Sequence, residues 1–483
     1  MNVVCICLDT FRADIIGKEQ PLASVETPNL DRFAAESVYF ERAFGECQPT
    51  LQMRRAFFTG MRSFPFNYNF DRRGHWHHAP GWHKIPPHQD TLAEILLSRG
   101  YATGLISDTY HMFKPTMNYT RGFCSYEFIR GQETDNFRVA NPAAVRKELE
   151  RSGRIPDDPT QYAYLIQYLA NNKDRNSEED YLCAKVFRTA QRWLEDNADN
   201  KPFFLWVDAF DPHEPWDPPA EYIRRYYPQY SGADFAFPGG PAGKAPLPSE
   251  KVAQTKALYF GEVTLVDKWV GVLFETMTKL GLWGETIVMV LSDHGTQLME
   301  AGRFGKGRGD MRPYNTRFVW YLRHPDGPRG KKITGYVQSH DVAPTALSLL
   351  GIPFSAEGKD AWPLVTEDKD KLRDHIVIGW AGWSISEFGG SGAGFASVRD
   401  DEWCYVVPVG DPRERWEHLY HPATDHEEVK DVSAENPEVV KLQRERVEAV
   451  MKQPLPGKFE ELGGPAPSPG STFIKARYGK RQS

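Results

Sequence analysis

Two short stretches of this chain carry more chemistry than their surroundings. GECQPTLQMRRAFFTG, from Gly45 to Gly60, offers a thiol at Cys47, a hydroxyl at Thr50 and guanidinium groups at Arg54 and Arg55. Together they look like a nucleophile beside an anion clamp. Residue types alone leave both Cys47 and Thr50 open as the attacking group. The second stretch, SDHGTQLMEAGRFGKGR, sets Asp293 next to His294 and runs on to Lys306. An adjacent carboxylate and imidazole, turned by Gly295, suit zinc, manganese and related divalent ions. An ordinary polar turn could carry the same pair.

These residues need a frame. VVCICL (3–8), ATGLIS (102–107), FFLWVD (203–208) and TIVMVLSD (286–293) are short apolar runs bounded by polar turns. Amphipathic patterns lie between them, in LDRFAAESV, TLAEILLSRG and DYLCAKVFRTAQRWLEDN. Near-continuous apolar strands alternating with such helices predict an α/β fold with a large, mainly parallel sheet sandwiched by helices. Ligands in such folds bind at the carboxyl ends of the strands. The polar residues just after the strands are therefore the first candidates: Asp9 and Thr10, Asp108 to His111, Asp208 to His213, and Asp293 with His294. A strand-end Asp such as Asp9 also caps backbone N–H groups without further function.

Beyond about residue 375 the pattern changes to short antiparallel strands, HIVIGWAGW, GFASVRDDEWCYVVP and RWEHLYHPATDHEEVKDV. A helix follows in ENPEVVKLQRERVEAVMK, with Asn436 suited to its N-cap and Pro437 to its first position. This predicts a catalytic domain over 1–375, a small C-terminal subdomain over 376–453, and a Pro/Gly-rich tail or oligomerisation arm over 454–483. FNYNFDRRGHWHHAPGWHKIPPH (66–88) is dense in His, Trp and Arg, and its 75–88 portion is a candidate lining for the substrate mouth.

Composition excludes several classes. With 58 basic against 65 acidic residues, a net charge of −7, the chain has no global nucleic-acid footprint. No run approaches the roughly 18 apolar residues of a membrane span, and no secretory leader is visible, so a cytoplasmic protein is expected. The six cysteines are scattered without metal spacing, and free core thiols are expected. Cys5 and Cys7 should share one face of the first strand.

Six ordered segments resemble the sulfatase branch of the alkaline phosphatase superfamily. They are CLDTFRADIIG with TPNLDRFAAESVYFERAF behind it, PTLQMRRAFFTG, DPHEPWDPP, SDHGTQLMEAGRFGKG, SHDVAPTALSLLGIP and HLYHPATDHEEVKDV. In that family the nucleophile is a Cys or Ser matured to formylglycine in the pattern Cys-x-Pro-Ser-Arg, with Thr-Gly further on. Cys47-Gln48-Pro49-Thr50-Leu51 begins that way, but Leu51 stands where the Arg must be. Counting from Arg54 and from Thr59-Gly60 puts Thr50 in the nucleophile's place. Thr50 cannot become formylglycine, so the resemblance implies an unmodified threonine, as in the superfamily's nucleotide pyrophosphatase/phosphodiesterase branch. A formylglycine hydrate expels sulfate by collapsing to an aldehyde. A Thr ester must instead be hydrolysed by water at the central atom, which tilts the expectation from sulfate esters toward phosphodiesters or phosphonate monoesters.

The resemblance further implies one divalent ion, manganese, zinc or calcium, held by Asp9, the Thr50 oxygen, Asp293 and His294. Typical sulfatases have a second Asp where this chain has Thr10; phosphonate monoester hydrolases also have a single Asp there. Arg54 and Lys306 would face the non-bridging oxygens, and His213 would protonate or steady the leaving oxygen. Thr109 and Tyr110 stand where sulfatases carry a Lys-x-His pair and are candidate substrate donors. A second metal would need Asp208, Asp211, His213 and His340, although the spacing in VDAFDPHEP differs from two-metal phosphodiesterases. The expectation is a metal-dependent hydrolase of a small anionic ester, often promiscuous, in a homo-oligomer without nucleic-acid or membrane partners. A sulfatase for one organic sulfate is the first alternative, and a catalytically silent anion-binding relative the second.

Overall fold

A computed structural model of the protein describes residues 1–65, 82, 84–114, 117–151, 159–232, 247–306, 310–367, 369–381, 394–410 and 415–457. The elements that frame the site are, in chain order, β1 (Asn2–Leu8), α1 (Pro28–Ala35), β2 (Val38–Phe40), β3 (Cys47–Gln48), α2 (Leu51–Thr59), β4 (Ala102–Ser107), β5 (Ser125–Phe128), α3 (Leu182–Asn197), β6 (Phe203–Ala209), α4 (Ser249–Lys279), β7 (Thr286–Ser292), β8 (Trp320–Arg323), β9 (Lys332–Ile333), β10 (Ile376–Ala381), β11 (Gly394–Arg399), β12 (Cys404–Val409), β13 (His418–Tyr420) and α5 (Pro437–Met451).

Eight strands form the main sheet in the order β9-β2-β8-β7-β1-β6-β4-β5. β1 pairs in parallel with β6 and with β7, and β4 pairs in parallel with β6 and β5. β8 runs antiparallel to both its neighbours, so the expected parallel sheet is mixed on that side. β1 explains why the central strands are apolar throughout. Val3, Cys5 and Cys7 face one core, shared with Leu51, Met53 and Phe57 of α2. Val4, Ile6 and Leu8 face the other, under α3 and α4. A strand covered on both faces has no position for a polar side chain until it ends, and Asp9 is that first position.

The C-terminal sheet has the order β13-β12-β11-β10-β3. Its four C-terminal strands are antiparallel, as expected, but its fifth strand comes from the Gly45–Gly60 stretch. β3 pairs in parallel with β10, Cys47 opposite Gly379 and Gln48 opposite Trp380. α5 begins with Pro437 as predicted, whereas the Asn436 side chain makes no cap and donates back to the Val432 carbonyl at 2.9 Å. Five of the cysteines are buried and Cys124 is exposed, which corrects the expectation of core thiols throughout. Among the described residues no helix is long and apolar enough to cross a membrane. Most of the His/Trp-rich stretch 75–88, and the tail from 458, lie outside the described residues.

Candidate active site

The ends of β1, β6 and β7 and the start of α2 meet at one buried polar centre. Asp9, Asp293 and His294 bring one ligand atom each within 4.8 Å of one another, all fully buried. Local hydrogen bonds fix each group. The Asp293 carboxylate accepts from its neighbour's N–H at His294 (2.7 Å) and from the Thr10 N–H (2.9 Å). The Thr10 hydroxyl donates to Asp9 at 2.8 Å, so the residue in place of a second Asp orients the first. His294 Nδ1 donates to the Gly295 carbonyl at 2.9 Å, which leaves Nε2 as a bare acceptor. Gly295 is required there because a Cβ would lie 2.0 Å from the Tyr314 carbonyl oxygen.

His294 Nε2 is buried without a hydrogen-bond partner, and Asp9 Oδ2 meets only the Arg54 guanidinium, at 3.0 Å. A buried acceptor left like His294 Nε2 is costly without a partner, and the carboxylate/imidazole donor set fits a divalent ion. Burial, and next the charge of Asp293, pushes the Asp9 carboxyl well up. Burial opposes ionisation of Asp293 too, but His294 and Arg54 hold it below the usual carboxylate range. Burial lowers His294, which keeps its imidazole neutral as a ligand must be.

Arg54 knits this centre together. Nη1 lies 2.6 Å from Asp293 and 3.0 Å from Asp9, and it also donates to the Thr50 carbonyl at 3.3 Å. Nε and Nη2 grip Asp208, which also accepts from the Thr109 hydroxyl (2.6 Å) and Trp206 Nε1 (3.1 Å). Burial alone would lower the Arg54 guanidinium, but Asp208 and its other acidic neighbours more than compensate, so it stays charged.

Thr50 is the N-cap of α2, yet its side chain makes no cap hydrogen bond. Its φ of +29° is a rare conformation for a β-branched residue. Such strain costs on the order of 1–3 kcal/mol and collects at functional positions. All nine residues of α2 are buried, and its positive N-terminal end lies at Thr50. Cys47 is three residues away in a different setting. It is fully buried among apolar side chains, its Sγ lies 3.8 Å from the Gln48 carbonyl oxygen, and burial pushes its thiol well up.

A second wall completes the pocket. Lys306 Nζ bridges Glu214 (2.8 Å) and the Thr10 hydroxyl (3.3 Å). His213 Nδ1 donates to the Glu214 carbonyl at 2.7 Å, and burial lowers its ring to about 3. Burial would raise Glu214, but His213 and Lys306 bring it down to about 2. The Tyr110 hydroxyl donates to Glu133 at 2.8 Å. The structure thus gathers Asp9, Thr50, Arg54, Thr109, Asp293, His294 and Lys306 around one centre, with His213 and Tyr110 on the adjoining wall.

The four residues considered for a second metal are not assembled together. Asp208 is bound to Arg54, Asp211 accepts from Gln132 (2.9 Å) and the Cys183 N–H (3.1 Å), and His340 is buried beside Asp341 and Arg373. The three-residue cluster is the one metal-capable group among the described residues. Sequence reasoning missed Glu133, Glu214 and the clamp role of Asp208. Glu214 directly follows His213, and Glu133 follows β5, whose sequence SYEF is too polar to read as a strand.

Comparison with known proteins agrees with this architecture. The profile of the family described as Sulfatase matches residues 1–352. An arylsulfatase of Clostridium perfringens is 25% identical over 415 residues, covering 78% of this chain and 80% of that protein. The multifunctional alkaline phosphatase superfamily protein PehA of Trinickia caryophylli is 24% identical over 413 residues, covering 76% and 77%. The phosphonate monoester hydrolase of Agrobacterium radiobacter superposes with a TM-score of 0.69 at 19% identity, covering 93% of this chain and 95% of that one. This chain belongs to the sulfatase family, within the alkaline phosphatase superfamily of hydrolases.

Proposed function

We propose that this protein hydrolyses phosphodiesters or phosphonate monoesters through an unmodified Thr50, with one divalent ion held by Asp9, Asp293, His294 and the Thr50 oxygen. The observation that carries this reading is the contrast between two neighbours: the Thr50 hydroxyl caps nothing and its own backbone carbonyl accepts from Arg54, while the Cys47 thiol is packed in the core. A divalent ion held by these residues would supply Lewis acidity and lower the pKa of the Thr50 hydroxyl. Thr50 Oγ attacks phosphorus and its hydroxyl proton passes to water, while the leaving oxygen departs with the former P–O electron pair and takes a proton. Lys306 faces the charge that develops on the non-bridging oxygens, and Arg54, engaged by Asp9, Asp208 and Asp293, adds its positive charge from behind them. Water then attacks phosphorus in the Thr50 ester and frees the hydroxyl.

The fold likeness to phosphonate monoester hydrolases supports the architecture that this reading needs. A second reading, hydrolysis of an organic sulfate, is favoured by relatives named arylsulfatase and ulvan-active sulfatase. Matched aryl phosphodiester, phosphonate and sulfate esters, assayed with added manganese, zinc or calcium, separate the two. The expected order of kcat/KM puts phosphodiester or phosphonate first. Each tenfold is only about 1.4 kcal/mol of barrier, so a sulfate preference of about a hundredfold or more is needed to replace this reading with the sulfatase one.

A further inference from the structure

The second wall of the pocket contains a carboxyl group that the proposed chemistry does not use. Glu133 lies in the loop after β5, at φ +35°, a strained conformation for a side-chain-bearing residue. Its Oε2 accepts the Tyr110 hydroxyl at 2.8 Å, and that same hydroxyl touches Thr134 Oγ1 at 2.9 Å. Its Oε1 lies 3.5 Å from His213 Nδ1. The adjoining Gln132 donates to both Asp108 (2.8 Å) and Asp211 (2.9 Å), which ties this loop to the ends of β4 and β6. The Glu133 side chain is 14% exposed, whereas those of Asp9, Arg54, Asp293 and His294 are closed off completely. Glu133 is therefore placed to exchange protons with water on behalf of an interior that cannot.

The leaving oxygen needs such a supply. Burial holds His213 neutral and its Nδ1–H is bound to the Glu214 carbonyl, so the ring has no second proton to give. We propose that Glu133 supplies the leaving-group proton through Tyr110. The Tyr110 hydroxyl donates to the ionised carboxylate and accepts from the protonated one; from the latter state, as the ester P–O bond breaks, the leaving oxygen keeps the electron pair and takes the Tyr110 phenolic proton. Tyr110 takes the Glu133 carboxyl proton in the same step, and the resulting Glu133 carboxylate is reprotonated by water. Glu133 acts through Tyr110 and is thus a positioning and relay residue. The inference rests on the ester-hydrolase reading above.

The charged and titratable groups around Glu133 are consistent with a proton held near neutrality. Tyr110, His111 and Lys114 face it from the turn after β4, His213 and Glu214 from the loop after β6, and Lys306 from the β7 side. Burial, then Glu214, raises its carboxyl to about 7 against the pull of Tyr110, Lys306 and Lys114. A relay that needs the protonated form loses rate as pH rises through that value.

The test compares Glu133→Gln with the unaltered protein on aryl and alkyl esters of one phosphonate. Loss of general-acid help is expected to lower kcat/KM for the alkyl ester by ~10²-fold or more and to leave the 4-nitrophenyl ester little changed. The basic limb of the pH profile near neutrality should vanish in Glu133→Gln and persist in Glu133→Asp. Equal losses on both esters, or an unchanged limb in Glu133→Gln, overturn the proposal. Difference infrared spectroscopy gives a readout free of turnover. A carboxylic acid band that titrates near neutrality and disappears in Glu133→Gln supports the relay, and its absence from the unaltered protein refutes it. If no ester is turned over, the hydrolase reading fails by itself and the infrared titration still decides where this proton resides.

Discussion

β3 and the first turn of α2 are three residues apart and could hardly differ more. In β3 the Cys47 side chain joins the apolar core and its backbone pairs with β10. At the start of α2, Thr50 turns through a left-handed conformation into a buried cluster of charges. Chemical reactivity favours the thiol over the hydroxyl in free solution, but environment reverses the order. A thiol in an apolar core resists ionisation, whereas a hydroxyl beside a cation-binding cluster and a helix N-terminus is eased toward its anion. In the proposed reading, the surroundings and what holds the chain there choose the nucleophile.

The sharpest way to break this comparison is to exchange the losses. Thr50→Ala should abolish turnover while the protein remains folded. Cys47→Ala should keep most turnover and lose about 1–2 kcal/mol of stability from the vacated core volume. An active Thr50→Ala protein, or formylglycine at position 47 by mass spectrometry, would sink the assignment. Next in size is the charge cluster itself. Asp293→Asn should lower bound metal, measured by elemental analysis, together with rate, and chelation should remove activity; full activity in metal-free protein contradicts it.

A smaller effect probes the second wall. His213 is held neutral, lowered from 6.5 to about 3, so the unfolded chain binds more protons than the folded one between those values. Glu214 is lowered from 4.5 to about 2, and its stabilising charge is lost as pH falls through that range. Both signs agree: stability should decline as pH drops below about 6.5, and His213→Gln should flatten the upper part of that decline in denaturant melts. The smallest effect concerns the thiols. Iodoacetamide on the native protein should label exposed Cys124 and spare Cys47.

Strands were legible where burial on both faces demanded unbroken apolar runs, as in β1, β4, β6 and β7. Asp9, Asp293 and His294 were legible because they are the first polar residues after such strands. Their company was less so. The clamp between Arg54 and Asp208 joins two segments 154 positions apart, and nothing local in either announces it. Glu133 was hidden because β5 lies at the sheet edge, where SYEF can be polar. The swap of β3 into the C-terminal sheet was hidden because a two-residue strand has no periodicity.

That swap has a consequence in time. Gly379 N–H donates to the Glu46 carbonyl at 2.9 Å, and Arg62, just past α2, donates to the Val377 carbonyl at 2.7 Å. Both ends of the nucleophile segment are thus moored to a strand that leaves the ribosome long after them. A nascent chain that already owns Asp9, Thr50, Asp293 and His294 still lacks the berth that sets Thr50 at its angle. The pairing that seats this segment therefore cannot form until β10 has been synthesised.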